Sequence, residues 1–109
     1  MASLSNLYID QGSDYQVTIT VDDTDITGYT VAAQMRKSFG SSTAYNFIAE
    51  VSDGPAGRLT LALLGEDSDD IPAGRYLYDV EITSPGGSKT RVVEGLVVLT
   101  PQITKPVGP

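Results

Sequence analysis

The stretch "AGRYLYDVEIT", residues 73–83, decides the fold because its side chains alternate in character with a period of two. One face carries Tyr76, Tyr78, Val80 and Ile82, and the residues between them are mostly charged. This alternation is typical of a half-buried strand, in which every second side chain enters the core. The stretch therefore predicts one wall of a β-sheet core.

The same period of two recurs on both sides of this stretch, and turn-forming residues separate the segments. Further strands are predicted at "LYI" (7–9), "YQVTITV" (15–21), "YTVAAQMRK" (29–37), "AYNFIAEV" (44–51), "GRLTLALL" (57–64) and "TRVVEGLVVLT" (90–100). About seven short strands at hairpin spacing predict an all-β, antiparallel sandwich. The longest connection, "LGEDSDDIPAG" (64–74), is expected to hold one helical turn capped by an acidic residue or by Ser68.

The composition narrows the classes of function. A chain of 109 residues fits one domain, and it has no cysteine and no histidine. Disulfides and thiolate chemistry are therefore excluded, together with the commonest general base. Because 14 acidic residues face 7 basic ones, a net charge of −7, we expect neither nucleic acid nor an anionic membrane as a partner. The start "MASLSNLYIDQG" has no signal-peptide pattern, so we expect synthesis in the cytoplasm without a secretion signal.

The acidic loop is the candidate metal site. Glu66, Asp67, Asp69 and Asp70 offer the carboxylate oxygens that calcium prefers. They lack the Asp-x-Asp-x-Asp-Gly spacing of a calcium-binding loop, and a solvated loop has the same composition. We therefore expect no metal, no cofactor and no calcium dependence.

The candidate catalytic pair is Asp79 and Glu81, which lie two apart on a predicted strand and so share a face. Two such carboxylates suit the hydrolysis of a glycoside, which also needs a cleft and aromatic platforms. The neighbouring tyrosines point to the opposite face. Cross-strand pairing with Arg75, Lys89 or Arg91 explains the carboxylates more simply. The interpretation that follows is a protein without catalytic residues.

The short segment "GRYLY" (74–78) resembles the G-x-Y-x-C pattern at the start of strand F in immunoglobulin-type sandwiches, with Tyr78 where the cysteine stands. The resemblance implies that Tyr76 is the tyrosine-corner residue, whose hydroxyl bonds back to the backbone. It implies also that Tyr78 fills the core in place of a disulfide. The expected fold is an immunoglobulin-like β-sandwich.

A longer resemblance covers most of the chain. Its four segments are "IDQGSDYQVTITV" (9–21), "DITGYTVAAQMRKS" (25–38), "AGRYLYDVEIT" (73–83) and "TRVVEGLVVLTPQIT" (90–104). In this order they are similar to the immunoglobulin-like N-terminal domain of phage baseplate upper proteins. The resemblance implies a non-enzymatic virion protein, a repeated module on the head, neck or tail, in contact with other virion proteins and further copies. The alternative is a carbohydrate-binding module for host adhesion, with a platform drawn from the tyrosines Tyr8, Tyr15, Tyr29, Tyr45, Tyr76 and Tyr78.

Both ends of the chain are expected to make the assembly contacts. We predict a sandwich over residues 1–100 and an extended, proline-containing arm over residues 101–109. The stretch 96–99 is apolar on both faces, so a neighbour is expected to cover it. The candidate interface residues are Leu4, Leu7, Leu96, Val98, Pro101, Ile103 and Pro106. Deletion of residues 100–109 is predicted to abolish incorporation into a particle with little change in melting temperature.

Overall fold

A computed structural model gives the architecture and describes residues 3–21 and 24–104. These residues form two packed β-sheets with one short helix between strands. The elements are β1 (Ser3–Leu4), β2 (Leu7–Asp10), β3 (Tyr15–Thr20), β4 (Thr30–Arg36), β5 (Tyr45–Asn46), β6 (Ile48–Asp53), β7 (Arg58–Leu63), α1 (Gly65–Ser68), β8 (Gly74–Thr83) and β9 (Lys89–Thr100). The predicted all-β sandwich is confirmed.

The strand order is that of an immunoglobulin-like sandwich. The first sheet runs β9–β8–β4–β5, and the second runs β3–β7–β6. These orders correspond to strands G, F, C and C′ facing strands B, E and D. The N-terminal strands β1 and β2 both pair with β9, and they run parallel to it.

This parallel pairing corrects the expectation of an antiparallel sheet. Leu7 lies opposite Val97, and the register continues to Asp10 opposite Thr100. The chain leaves β2 at a turn over residues 11–14 and enters the second sheet as β3. Because it returns in the other sheet, β2 is free to take the open edge of β9 in the parallel direction.

The seven predicted strand segments are all present, and one of them is split. The first segment, residues 7–9, lies in β2, and β1 is an additional strand that Ser5 and Asn6 separate from it. The segment "AYNFIAEV" becomes β5 in the first sheet and β6 in the second. The chain changes sheets at Phe47, whose ring is buried and whose N–H donates to the Ala33 carbonyl at 3.0 Å. Alternation runs unbroken through this crossing, so the sequence gives no sign of it.

The inward face of β8 forms the centre of the core, as its alternation predicts. Tyr76, Tyr78, Val80 and Ile82 are all buried. The Tyr76 hydroxyl donates to the Pro72 carbonyl at 2.5 Å, which is the expected tyrosine corner. The Tyr78 hydroxyl donates to the Ser5 carbonyl at 2.6 Å and so ties the first strand to the core.

The acidic loop is capped differently from the prediction. The α1 backbone N–H of Gly65 donates to Asp14 Oδ1 at 2.7 Å, so the acidic cap comes from 51 residues earlier in the chain. Ser68 does not cap the helix start. Its buried hydroxyl accepts from the Gly12 N–H at 2.8 Å and donates to the Gly65 carbonyl at 3.2 Å. The loop is therefore fastened to the turn after β2.

The chain beyond β9 also remains attached to this turn. The Gln11 side chain donates to the Ile71 carbonyl at 2.9 Å and accepts from the Gln102 N–H at 3.0 Å. The Thr100 hydroxyl donates to Asp10 at 2.9 Å. The next residue, Ile103, is almost wholly exposed. Contact with the sandwich thus continues through Gln102.

Two truncations are expected to show which residues after β9 contribute to the stability of the sandwich. Deleting residues 103–109 should leave the melting temperature unchanged, because Ile103 makes no buried contact. Deleting residues 100–109 removes three hydrogen bonds: from the Thr100 hydroxyl to Asp10, from the Gln11 N–H to the Thr100 carbonyl and from the Gln102 N–H to Gln11. The loss should cost about 1.5–4.5 kcal/mol, at the usual 0.5–1.5 kcal/mol for each bond. This revises the predicted indifference to the longer deletion. Thermal unfolding of the two proteins checks it, and equal melting temperatures would contradict the attachment.

Candidate functional site

The solvent-facing side of the first sheet, which we call the outer face, forms an open groove of about 710 Å³. Strands β4, β8 and β9 supply its floor, while β1 and the loop after β4 supply its rims. The groove is lined by Leu4, Asn6, Gln34, Arg36, Ser38, Phe39, Leu77, Tyr78, Asp79, Glu81, Arg91, Glu94, Gly95 and Leu96. It is larger than the hollow of about 220 Å³ beside Tyr45 and Tyr76.

Strand register arranges the floor in two rows. Arg36 lies opposite Leu77, and Leu77 lies opposite Leu96. Two residues further along each strand, on the same face, Gln34 lies opposite Asp79, and Asp79 lies opposite Glu94. Because directly opposed residues of antiparallel strands stand side by side on one face, the row that holds Leu77 and Leu96 lies next to a polar row.

The apolar part of the outer face is partly exposed. Leu77 and Leu96 are half-buried on the floor, whereas Leu4 is 81% exposed and Phe39 is 88% exposed at the rims. A contiguous group of exposed apolar side chains is a common feature of interaction surfaces. These four residues are therefore the core of the candidate interaction surface.

The polar row is organised around Arg91. Its Nε lies 3.2 Å from Asp79 Oδ2, and its Nη1 lies 3.4 Å from Glu94 Oε2. Of the three basic residues considered as partners for Asp79 and Glu81, Arg91 binds Asp79, which confirms the cross-strand interpretation for that carboxylate, while Glu81 lies opposite Arg91 in the register. Exposed pairs of this kind stabilise a fold by about 0–1 kcal/mol, so their main effect is to fix the polarity of the groove.

Arg36 extends the polar part toward the rim. Its Nη1 donates to the Ser41 carbonyl at 2.6 Å, and Gln34 Nε2 donates to Asn46 Oδ1 at 2.8 Å. The first bond ties the loop that carries Phe39 back to β4. The rim is thereby held in one position relative to the floor.

The predicted interface residues do not lie together. Leu96 and Leu4 lie in the groove, and Val98 is half-buried one row away, opposite Arg75. Pro101 and Ile103 are exposed beyond β9, while Pro106 lies outside the described residues. Leu7 is only 4% exposed, since it faces the core beside Val97. The prediction for Leu7 is therefore wrong, because alternation within β2 turns it inward.

Phe39 and Leu77 are groove residues that sequence reasoning did not identify. Phe39 lies in "KSFGSST" (37–43), which reads as a turn. An aromatic residue among glycine and serine was the available signal, since a loop gains nothing structural from an exposed ring. Leu77 stands out in the same way as the apolar member of an otherwise charged strand face.

The tyrosines divide between core and surface. Tyr8 is 69% exposed, whereas Tyr76 and Tyr78 are buried and the remaining three are half-buried. Burial raises the pKa of Tyr76, Tyr78 and Tyr15 above the ordinary value for a phenol. Of the six tyrosines, Tyr8 is therefore the one whose side chain is mostly exposed.

The acidic loop does not gather its carboxylates around one point. Within residues 3–21 and 24–104, no three acidic side chains come together in a way that would hold a metal ion. The expectation of calcium independence stays a prediction. The same residues include no helix long and apolar enough to cross a membrane.

Comparisons with known proteins identify the fold alone. No protein-family model matches the sequence, and no curated protein matches it. Among solved structures, an internalin-like protein of Listeria monocytogenes is similar over 93% of this chain and 28% of its own, with a TM-score of 0.51 and 15% identity. A Bacteroides vulgatus protein, named provisionally as a glycoside hydrolase, matches 88% of this chain and 16% of its own, with a TM-score of 0.44 and 8% identity. This chain thus spans less than a third of either protein.

Proposed function

We propose that this protein is a non-enzymatic structural component of a tailed-phage particle, a repeated immunoglobulin-like module held by protein–protein contacts. The observation that carries the contact role is the outer face. It combines two exposed apolar rims, Leu4 and Phe39, with a fixed polar row. An apolar centre beside polar groups is the usual composition of a protein interface.

The phage assignment rests on the four sequence segments, and their residues support it by having structural roles. Gln11 and Gly12 join the acidic loop to the end of β9. The Ser5 carbonyl packs against Gly95, and a side chain at position 95 would collide with that oxygen. Motif residues that hold strands together are what a structural module needs.

The outer face is tested by a double substitution, Leu4→Ala with Phe39→Ala. Because both side chains are more than four-fifths exposed, we expect stability to change by about 0.5 kcal/mol or less. Incorporation of the variant into particles of the encoding phage should fall at least about tenfold, as expected for loss of apolar contacts at the centre of an interface. Quantitative mass spectrometry of purified particles measures the occupancy.

The matched control is Ile48→Ala. Ile48 is 51% exposed, and it lies on β6 in the second sheet, away from the outer face. This variant should be incorporated like the natural protein. If particles contain the Leu4→Ala, Phe39→Ala protein at full occupancy, the outer face is not the particle contact. The contact would then be assigned to the arm.

A carbohydrate-binding role in host adhesion is the second candidate. The exposed rings of Phe39 and Tyr8 favour it, since sugars stack on accessible aromatic faces. A glycan array with the natural protein and with Phe39→Ala and Tyr8→Ala separates the candidates. Reproducible binding to host-type glycans that either substitution abolishes would replace the structural proposal.

A further inference from the structure

We propose that the free edge of β3 pairs with β3 of a second copy of this chain, antiparallel and across a two-fold axis. The second sheet would then continue from one molecule into the next. This contact uses a different surface from the outer face, so it goes beyond the function proposed above and stands or falls separately.

Backbone geometry shows which groups the edge offers. The Val21 N–H, at the end of β3, donates to the Gly57 carbonyl at 2.7 Å on the β7 side. Along an antiparallel strand these groups alternate in direction, so the backbone N–H and C=O of Gln16, Thr18 and Thr20 point away from β7. In the described part of the chain no strand pairs with that side. A row of unpaired ladder groups is a template for another strand.

The other edges of the two sheets carry features that oppose pairing. β5 has two residues, and β1 and β2 have two and four, with an interruption between them. β6 has a register shift between Val51 and Asp53 and also carries Glu50. β3 has six residues with no charge, proline or register shift. It therefore lacks the devices by which sheet edges are protected.

The core-facing side chains of β3 are incompletely covered. Tyr15, Val17 and Ile19 are half-buried. Their neighbours on β7, Leu59, Leu61 and Leu63, are at most 3% exposed. The difference arises because β7 has a strand on each side and β3 has one on a single side. A strand added outside β3 would cover the exposed parts of these side chains.

The strand is complementary to itself. Opposed residues in an antiparallel pair share a face, so a two-fold pairing must place odd positions opposite odd ones. With Val17 opposite Val17, Gln16 lies opposite Thr18, and no charged residues face each other. This register pairs the outward N–H and C=O groups of Gln16 with those of Thr18, and it places Asp14 opposite the uncharged Thr20.

Association of the full-length protein tests the proposal. Sedimentation velocity should show a monomer–dimer equilibrium that strengthens with added salt, because salt screens the repulsion between two chains of net charge −7. Thr18→Pro removes an outward N–H and leaves the ladder to β7 intact, as prolines on sheet edges do. We expect it to weaken dimerisation at least about tenfold, and the control Thr18→Val, which keeps the N–H, to preserve it.

A cysteine substitution tests which residues of the two β3 strands lie opposite each other. The chain has no cysteine, so Val17→Cys introduces a single thiol. Directly opposed residues at a non-hydrogen-bonded position lie about 4.5 Å apart between Cα atoms, which a disulfide spans. Mild oxidation should give a covalent dimer with Val17→Cys. The proposal is wrong if the protein is monomeric at every protein and salt concentration, or if Thr18→Pro does not weaken the dimer. The edge of β3 would then be available to a strand of another protein.

Discussion

Replacing Tyr78 with alanine is expected to destabilise the protein by about 3–5 kcal/mol, the usual cost of truncating a large aromatic side chain in a core. Tyr78 is 4% exposed, and its ring contacts Phe47 edge-on with centroids 6.2 Å apart. Its hydroxyl also binds the Ser5 carbonyl. The substitution therefore opens a cavity between the sheets and releases the first strand. Urea unfolding followed by circular dichroism measures the loss.

Tyr78→Phe and Tyr76→Phe divide this effect into its parts. Each keeps the ring and removes one hydroxyl, leaving the carbonyl of Ser5 or of Pro72 without its donor. Each should cost about 1–3 kcal/mol, the penalty for a polar group deprived of its partner. A neutral Tyr78→Ala would show that the inward face of β8 is assigned wrongly.

Replacing Gly95 with alanine is expected to cost about 2–3 kcal/mol, the upper range for overpacking. A Cβ at Gly95 would collide with the Ser5 carbonyl oxygen, and that oxygen is backbone held by Tyr78. Ser5 is further fixed by its N–H, which donates to the Glu94 carbonyl at 2.9 Å. The methyl group can be accommodated only if the chain between β1 and β2 moves away from β9.

Gly40→Ala is the matched control for Gly95→Ala. Gly40 lies in the loop after β4, where an added Cβ has nothing within 4 Å. Its replacement should leave stability within about 0.5 kcal/mol of the natural protein. Hydrogen exchange adds a local readout, because Gly95→Ala should expose the amides of β2 first. Equal stability of the two variants would contradict the close packing of Ser5 on Gly95.

Much of the fold follows from period-two alternation. It locates the strand segments, and it assigns the inward face of β8 correctly. The motif "GRYLY" also predicts the tyrosine corner. These features depend on residues that are a few positions apart in the sequence, so they can be predicted from one sequence.

Features that depend on distant contacts were beyond such reasoning. Alternation is the same for parallel and antiparallel strands, so it does not reveal that β2 runs parallel to β9. The cap from Asp14 to α1 joins residues 51 apart. The groove needs the register of β4, β8 and β9 together with the rim residue Phe39. No segment read alone contains that arrangement.

The parallel pairing of β2 with β9 has a mechanical consequence. A force that draws the N-terminal end of β2 away from the C-terminal end of β9 pulls two side-by-side strands from opposite ends. This geometry shears the seam, and the hydrogen bonds from Leu7 to Asp10 share the tension and must rupture together. An antiparallel pair pulled in the same way would instead peel open one bond at a time. A molecule anchored at both ends would therefore resist stretching at the parallel seam that β1 and β2 form with β9, before β8, β4 or β5 is loaded.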